Sequence, residues 1–435
     1  MLDMKRIRQD VERVRGSLQA KGSAASLDRV LELDELVRAA IFATDSLRAE
    51  KNTLTERLAR GAVAAEEAAA LRQTVRELNC RLKEADEELS RHRDDLERLL
   101  VWLPNIPHES VPRGSGPEGN VVVRSWGSLP TFPFVPAPHW DVGASLGILD
   151  PQRGARISGS NFPLLSGDGA LLTRALITLM LDLHTTEHGY LEHWVPYLVN
   201  RAAMVGTGQL PKLEEDMYVC SAPELFLIPT GEVPLTNLWR EEIIAEDQLP
   251  IRMVGYTPCF RKEAGTYGKD TRGLNRVHQF DKVEMVKLVE PSQSYDELES
   301  LVADAEEVLQ RLQLPYRVVS LCTGDLSFSA AKCYDLEVWA AGQERWLEVS
   351  SCSNFEDFQA RRMGIRFRPR SGGKPQLVHT LNGSGLALPR IIAALLENGQ
   401  TAEGTVKLPE ALWPYMRGRT MIGPTHRTTG HSEEG

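Results

Sequence analysis

Residues 27–100 contain no proline, and from Leu71 the apolar positions fall at Leu71, Val75, Leu78, Leu82, Ala85, Leu89, Leu96 and Leu99, with His92 as the one polar intruder. Alternating steps of four and three form the seam of a coiled coil. The preceding stretch repeats the pattern less cleanly through Leu33, Val37, Ala40, Leu47, Leu54 and Leu58, and register is lost around residues 61–66. Two antiparallel helices about a short tip account for this more economically than one rod. At 1.5 Å per residue, helices of about 30 residues give a hairpin about 45–55 Å long, more than a core needs. Periodicity alone leaves an oligomerisation coiled coil open. Charge adds direction: Arg48, Lys51, Arg57, Arg60, Arg72, Arg76, Arg81 and Lys83 crowd the tip half, while Glu84, Asp86, Glu87, Glu88, Asp94 and Asp95 gather toward the base. A basic far end can grip phosphates, and an acidic near end cannot.

Prolines from Leu103 to about Pro117 end the second helix and predict a linker. The expected organisation is an arm over residues 1–108, with its coiled coil at about 27–100, a second domain over 109–423 and a disordered polar tail over 424–435. In the second domain, β-rich runs at 195–199, 252–260, 277–289 and 333–340 alternate with helical stretches at 168–188 and 294–313. Half-buried alternation in the strands predicts an α+β fold with a largely antiparallel sheet. The N-terminus is charged, and no stretch reaches the ~18 uncharged apolar residues of a membrane span, so a cytoplasmic protein is expected. Six scattered cysteines without a CxxC pair read as free thiols, and no zinc pattern is present. A net charge of −10 argues against coating DNA or other nucleic acid non-specifically, so RNA binding needs a local basic patch.

Neither a GxxxxGK[ST] loop nor a strand-linked GxGxxG occurs, so a nucleotide has to be held another way. The candidate is CFRKEAGTYGKDTRGLNRVHQFDKVEMV, residues 259–286, read as a strand, a polar glycine-rich loop and a strand. Alternation by two predicts Arg261 and Glu263 on one face of the first strand, and Phe280, Lys282 and Glu284 on one face of the second. Such a face offers a guanidinium for phosphate, a ring for a base and a carboxylate for an amine. A surface hairpin laced with salt bridges has the same composition.

That stretch resembles motif 2 of the class II aminoacyl-tRNA synthetases in its seryl-specific form, and the resemblance extends over nearly the whole chain. GYLEHWVPYLV (189–199) is similar to motif 1, with Pro196, and LNGSGLALPRIIAALLENGQ (381–400) to motif 3, with Arg390. PTGEVPLTN (229–237) resembles the seryl signature; CTGDLSFSAAKCYDLEVW and EVSSCSNFEDFQARR (348–362) resemble the rest of that core. The resemblance implies serine activation by ATP and transfer to tRNA(Ser), with tRNA(Sec) a family possibility, by a homodimer requiring Mg2+. It assigns Arg261 and Arg390 to catalysis on the phosphates. ATP binding falls to Arg261, Lys262, Glu263, Arg272, Phe280, Glu348, Val349, Ser350, Ser351 and Arg390, and metal binding to Glu348 and Ser351. Thr230, Gly231, Glu232, Arg261, Glu284, Asn382 and Ser384 make the serine pocket.

The chemistry is consistent with those roles. A carboxylate attacking an α-phosphorus needs in-line positioning and positive charge, and no general base because it is already ionised. A pocket of carboxylate and hydroxyl groups penalises alanine through unpaired polar groups, while threonine has to be excluded sterically. Three positions depart from the common family wording: Gly231 for alanine, Cys333 for threonine, and Leu388 with Pro389 before the motif 3 arginine. Glycine at 231 is expected to loosen the pocket backbone. Two rivals remain: a synthetase-like ligase serving a carrier protein or a biosynthetic pathway, and a non-enzymatic coiled-coil adaptor. The adaptor explains residues 27–100 but not Arg261, Glu263, Glu348 and Arg390.

Overall fold

The computed structural model describes residues 1–60, 64–264 and 272–424. It divides into two compact units, Met1–Pro104 and Asn105–Gly435. In the first, short helices α1 (Met4–Gln9) and α2 (Val11–Ala20) precede α3 (Leu27–Ala59) and α4 (Ala65–Leu100). Ser26 caps α3 by accepting from the Arg29 amide at 3.4 Å. Every seam position read from α4 is turned inward. Leu78, Leu89 and Leu96 are buried, and Leu71, Val75, Leu82, Ala85, His92 and Leu99 half-buried, in a helix otherwise exposed apart from Leu100 and a few neighbours. Each fully buried leucine contributes roughly 1.5–3 kcal/mol. Arg48 pairs with Asp86 at 2.8 Å and Arg57 with Glu67 at 3.0 Å, so the helices run antiparallel. The expected tip at 61–66 falls partly on residues 61–63, outside the described residues. Two polar residues interrupt the apolar packing of this unit with no warning from the heptads: buried Asp34, held by Arg8 and Arg38, and buried Thr44, whose hydroxyl has no partner among the described residues.

The second unit is built on an eight-stranded sheet: β1 (Val121–Trp126), β2 (Leu191–Glu192), β3 (Ile251–Phe260), β4 (Gln279–Val289), β5 (Tyr316–Ser320), β6 (Lys332–Ala340), β7 (Arg345–Asn354) and β8 (His379–Ala387), in the order β1-β5-β6-β7-β8-β4-β3-β2. Every pairing is antiparallel except β2 with β3. Helices Asp168–Thr186, Ser294–Arg311 and Leu388–Asn398 bury their apolar faces against the sheet. In β4, Val283, Met285 and Val289 face that helical layer, while Phe280 and Lys282, of opposite parity, line a cavity. Of the run 195–199 only Leu198–Val199 is strand, because Pro196 cannot donate to a ladder. Asn105 is bonded to the carbonyls of Phe328, Ser329 and Phe355, so the segment expected as a linker enters the second unit before residue 108. No described helix is long and apolar enough to cross a membrane.

Candidate active site

Two interruptions of the pleat make the site. Opposite Leu336 and Glu337, which are consecutive in β6, β7 presents Ser350 and Glu348, so Val349 is an extra residue. Residues three apart on a regular strand face opposite ways; the bulge brings Glu348 and Ser351 to one side. Ser384 lies opposite Glu284 in regular register, two residues on from Asn382 and on the same side, and a second irregularity, between Ser384 and Ala387, then sets Ala387 opposite Lys282 and carries the chain into the helix bearing Arg390. These residues surround a cavity of about 640 Å³, within the ~300–1,000 Å³ of small-molecule sites.

Of the residues expected in the site, Arg261, Glu263, Phe280, Glu348, Val349, Ser350, Ser351, Arg390, Thr230, Glu232, Asn382 and Ser384 line this cavity. The strand assigned to Arg261 and Glu263 is a correction: β3 ends at Phe260, and Glu263 has a positive φ of 48°, so neither residue is placed by alternation. Arg261 is instead oriented by its Nε–H bond to the Pro229 carbonyl at 3.2 Å and by lying 5.1 Å from the Phe280 ring centroid. Arg390 donates from Nε to the Asn275 carbonyl at 3.1 Å and from Nη1 to the Glu348 carbonyl at 2.7 Å. Asn275 is anchored in turn by Gln343, which bonds the buried Glu397–His139 pair.

Lys262 and Arg272 are not among the lining residues. The Lys262 side chain is exposed, and Arg272 lies over Trp140 at 4.8 Å and 3.7 Å from Asp141. Residues 265–271 of the motif 2-like stretch lie outside the described residues. Glu284 is fully buried behind the wall, accepting from Thr230 Oγ1 at 3.1 Å and Asn382 Nδ2 at 2.9 Å, and ion-paired with buried Lys282. Lys282 also donates to Thr230 Oγ1 at 2.8 Å, so its charge is spent inside the wall.

Gly231 has ordinary helical angles, φ −64° and ψ −19°, and a Cβ there would stand 2.9 Å from Glu284 Cβ. The glycine makes room for Glu284. Glu232, the next residue, is buried; burial first and the Glu284 charge second push its carboxyl up to about 7. Cys333 places Sγ 3.1 Å from Ser351 Oγ, and burial raises its thiol well above the ordinary range, keeping it neutral.

Three lining residues that the expected site did not include make contacts with it, and alternation announces only one of them. Arg276 pairs with Glu263 at 3.0 Å, Gln209 donates to Glu232 at 3.3 Å, and Lys282 holds Glu284. Lys282 shares parity with Phe280 and Glu284, a signal that alternation already carried. Arg276 and Gln209 lie on loops, where no periodicity marks direction.

Comparison with known proteins converges on one family. Residues 1–107 match the seryl-tRNA synthetase N-terminal domain, and residues 218–399 the tRNA synthetase class II core domain for G, H, P, S and T. A serine–tRNA ligase from Geobacter sulfurreducens is 52% identical over 97% of this chain and 100% of its own length. One from Bacillus cereus is also 52% identical, over the same shares. Among solved structures, seryl-tRNA synthetase from Pyrococcus horikoshii complexed with ATP superposes with a TM-score of 0.92 at 38% identity, covering 98% of this chain and 100% of that one. The cytoplasmic serine–tRNA ligase of Naegleria fowleri in complex with AMP gives 0.84 at 30% identity, over 95% and 96%. With both domains matched and identity sustained over the full length, the chain belongs to the seryl-tRNA synthetase family, the serine–tRNA ligases.

Proposed function

We propose that the cavity activates L-serine with ATP, forming seryl-adenylate and pyrophosphate, and then esterifies serine to the 3′ end of tRNA(Ser). The observation that carries this reading is the meeting of Arg261 and Arg390, from distant parts of the chain, in one cavity with Thr230, Glu232 and Ser384. Serine-dependent ATP–pyrophosphate exchange tests the first step, and charging of serine tRNA the second.

In this reading Phe280 stacks on adenine, Glu263 lies on the adenine side, Arg261 meets the α-phosphate and Arg390 the terminal phosphate. Glu232 takes the α-ammonium, while Thr230, Asn382 and Ser384 recognise the hydroxyl end, with Glu284 behind them fixing Thr230 and Asn382. Serine's carboxylate attacks the α-phosphorus, the bond to the β-phosphate oxygen breaks, and the arginines stabilise the charge that accumulates. Two cations held by backbone carbonyls need little reorganisation as the reaction proceeds.

Glu348 and Ser351 are hard oxygen donors on one side of the bulged strand, a set that suits Mg2+. Such an ion takes one or two protein ligands and completes its shell with phosphate and water. When bound, Mg2+ would neutralise phosphate charge.

The elevated Glu232 carboxyl gives a pH test. Ammonium binding requires the ionised form, and that form declines as pH falls through about 7. The apparent KM for serine is therefore expected to rise about tenfold per pH unit below 7, with serine binding releasing a proton there. Exchange measured from pH 5.5 to 8 checks this; a flat serine KM would remove Glu232 from the ammonium site.

The reading extends to a cytoplasmic protein and to a homodimer, the latter supported by exposed Leu191 on the edge strand β2 and exposed Trp194 beside it in the motif 1-like stretch. The N-terminal domain favours tRNA over a carrier protein as acceptor.

A further inference from the structure

Gln359 belongs to the stretch 348–362, yet nothing in the reaction as derived above uses it. It is fully buried on the short helix Phe358–Met363. Its amide is fixed in one orientation: Oε1 accepts from Thr380 Oγ1 at 2.7 Å, so Nε2 must present its two hydrogens elsewhere. One goes to the Thr207 carbonyl at 3.0 Å and the other to Glu232 Oε1 at 2.6 Å. Glu232 Oε2 receives the longer bond from Gln209 at 3.3 Å, and Gln209 accepts from Thr207 Oγ1. The charged groups acting on Glu232 are Glu284 and Lys282, both from β4, and the Lys282 ammonium is committed to Glu284 and Thr230. The buried carboxylate thus has amide donors but, among the described residues, no ion-paired cation of its own.

We infer that Gln359 is a positioning residue for serine binding: its clamped amide aims the Glu232 carboxylate at the substrate ammonium. This rests on the reading of Glu232 as the ammonium acceptor. A neutral donor is suited to the task, because a cation in its place would satisfy Glu232 permanently and compete with the substrate. A short charge-assisted bond favours the ionised carboxylate, and removing it moves the ionisation upward.

The test compares wild type, Gln359→Met and Glu232→Gln by ATP–pyrophosphate exchange from pH 6 to 9, with serine and ATP varied separately and each fold checked by thermal melting. Gln359→Met is expected to raise serine KM about tenfold, leave ATP KM unchanged, and move the acidic limb of kcat/KM for serine up by about one pH unit. A brace that merely supports the core lowers kcat or Tm and leaves that limb in place; this outcome overturns the inference. Glu232→Gln separates the two claims. If it retains normal serine KM, the ammonium reading fails; if it loses serine binding while Gln359→Met leaves the limb unmoved, only the role of Gln359 fails. Should Gln359→Met not fold, Gln359→Glu keeps the shape and sets a second carboxylate against Glu232. The limb is then expected to move further up, and an unmoved limb is again a refutation.

Discussion

Replacing Arg261 with alanine is expected to reduce serine-dependent ATP–pyrophosphate exchange by about 10³-fold or more while the protein stays folded. A single preorganised donor aimed at developing charge is worth about 10²–10³ in rate, and Arg261 supplies a full charge as well. The other cations lining the cavity are already engaged: Lys282 by Glu284 and Thr230, Arg276 by Glu263, and Arg390 by two backbone carbonyls. Arg261 has one bond, from Nε to Pro229, and its terminal nitrogens have no partner among the described residues. They remain available to a phosphate, so no neighbour can substitute for them. Loss of one bond from a half-buried side chain leaves Tm nearly unchanged. Arg261→Lys is expected to recover only a small part of the rate, because an ammonium keeps the charge but not the two-pronged geometry. An alanine variant within tenfold of wild type would remove Arg261 from the phosphate site.

The parts of this molecule that were legible in the sequence are those governed by a regular period. Leu78, Leu89 and Leu96 could be placed because a helix repeats its inward face, and Phe280 with Lys282 because a strand alternates. Where the period breaks, reading by position fails. Glu348 and Ser351 are three apart, and no local rule puts them on one side of a strand; the extra residue Val349 does, and it is defined by register against β6. Arg261 and Glu263 lie past the end of their strand, so they reach the cavity for reasons other than alternation. Gln359 depends on Thr207, Glu232 and Thr380 meeting around one amide, a convergence of four segments with no signature in any one of them. The resemblance to a family supplied the residues whose placement is non-local; of these, Lys262 is exposed and Arg272 lies over Trp140, outside the cavity lining.

Deleting about residues 30–97 and bridging the ends with a short glycine linker is expected to leave pyrophosphate exchange within about threefold while lowering kcat/KM for tRNA by about 10³ or more. The separation of effects follows from the architecture. The second unit, Asn105–Gly435, holds the whole cavity and its own apolar cores, so adenylate chemistry needs nothing from the hairpin. The charges on the hairpin are not all equal as phosphate ligands. Arg48, Arg57, Arg60 and Lys83 have carboxylate neighbours at 2.8, 3.0, 3.6 and 3.9 Å. Arg72, Arg76 and Arg81 are exposed on α4 and have no ion pair among the described residues, so RNA phosphate is reached there without first breaking a salt bridge. Removing one phosphate-binding cation reduces the salt dependence of binding by about one unit of log–log slope, so Arg72→Glu with Arg76→Glu is expected to weaken tRNA binding and flatten that slope by about two. Exchange and charging assayed side by side decide the matter. Parallel loss of both steps means the hairpin is part of the catalytic fold, and retained charging means tRNA is held elsewhere.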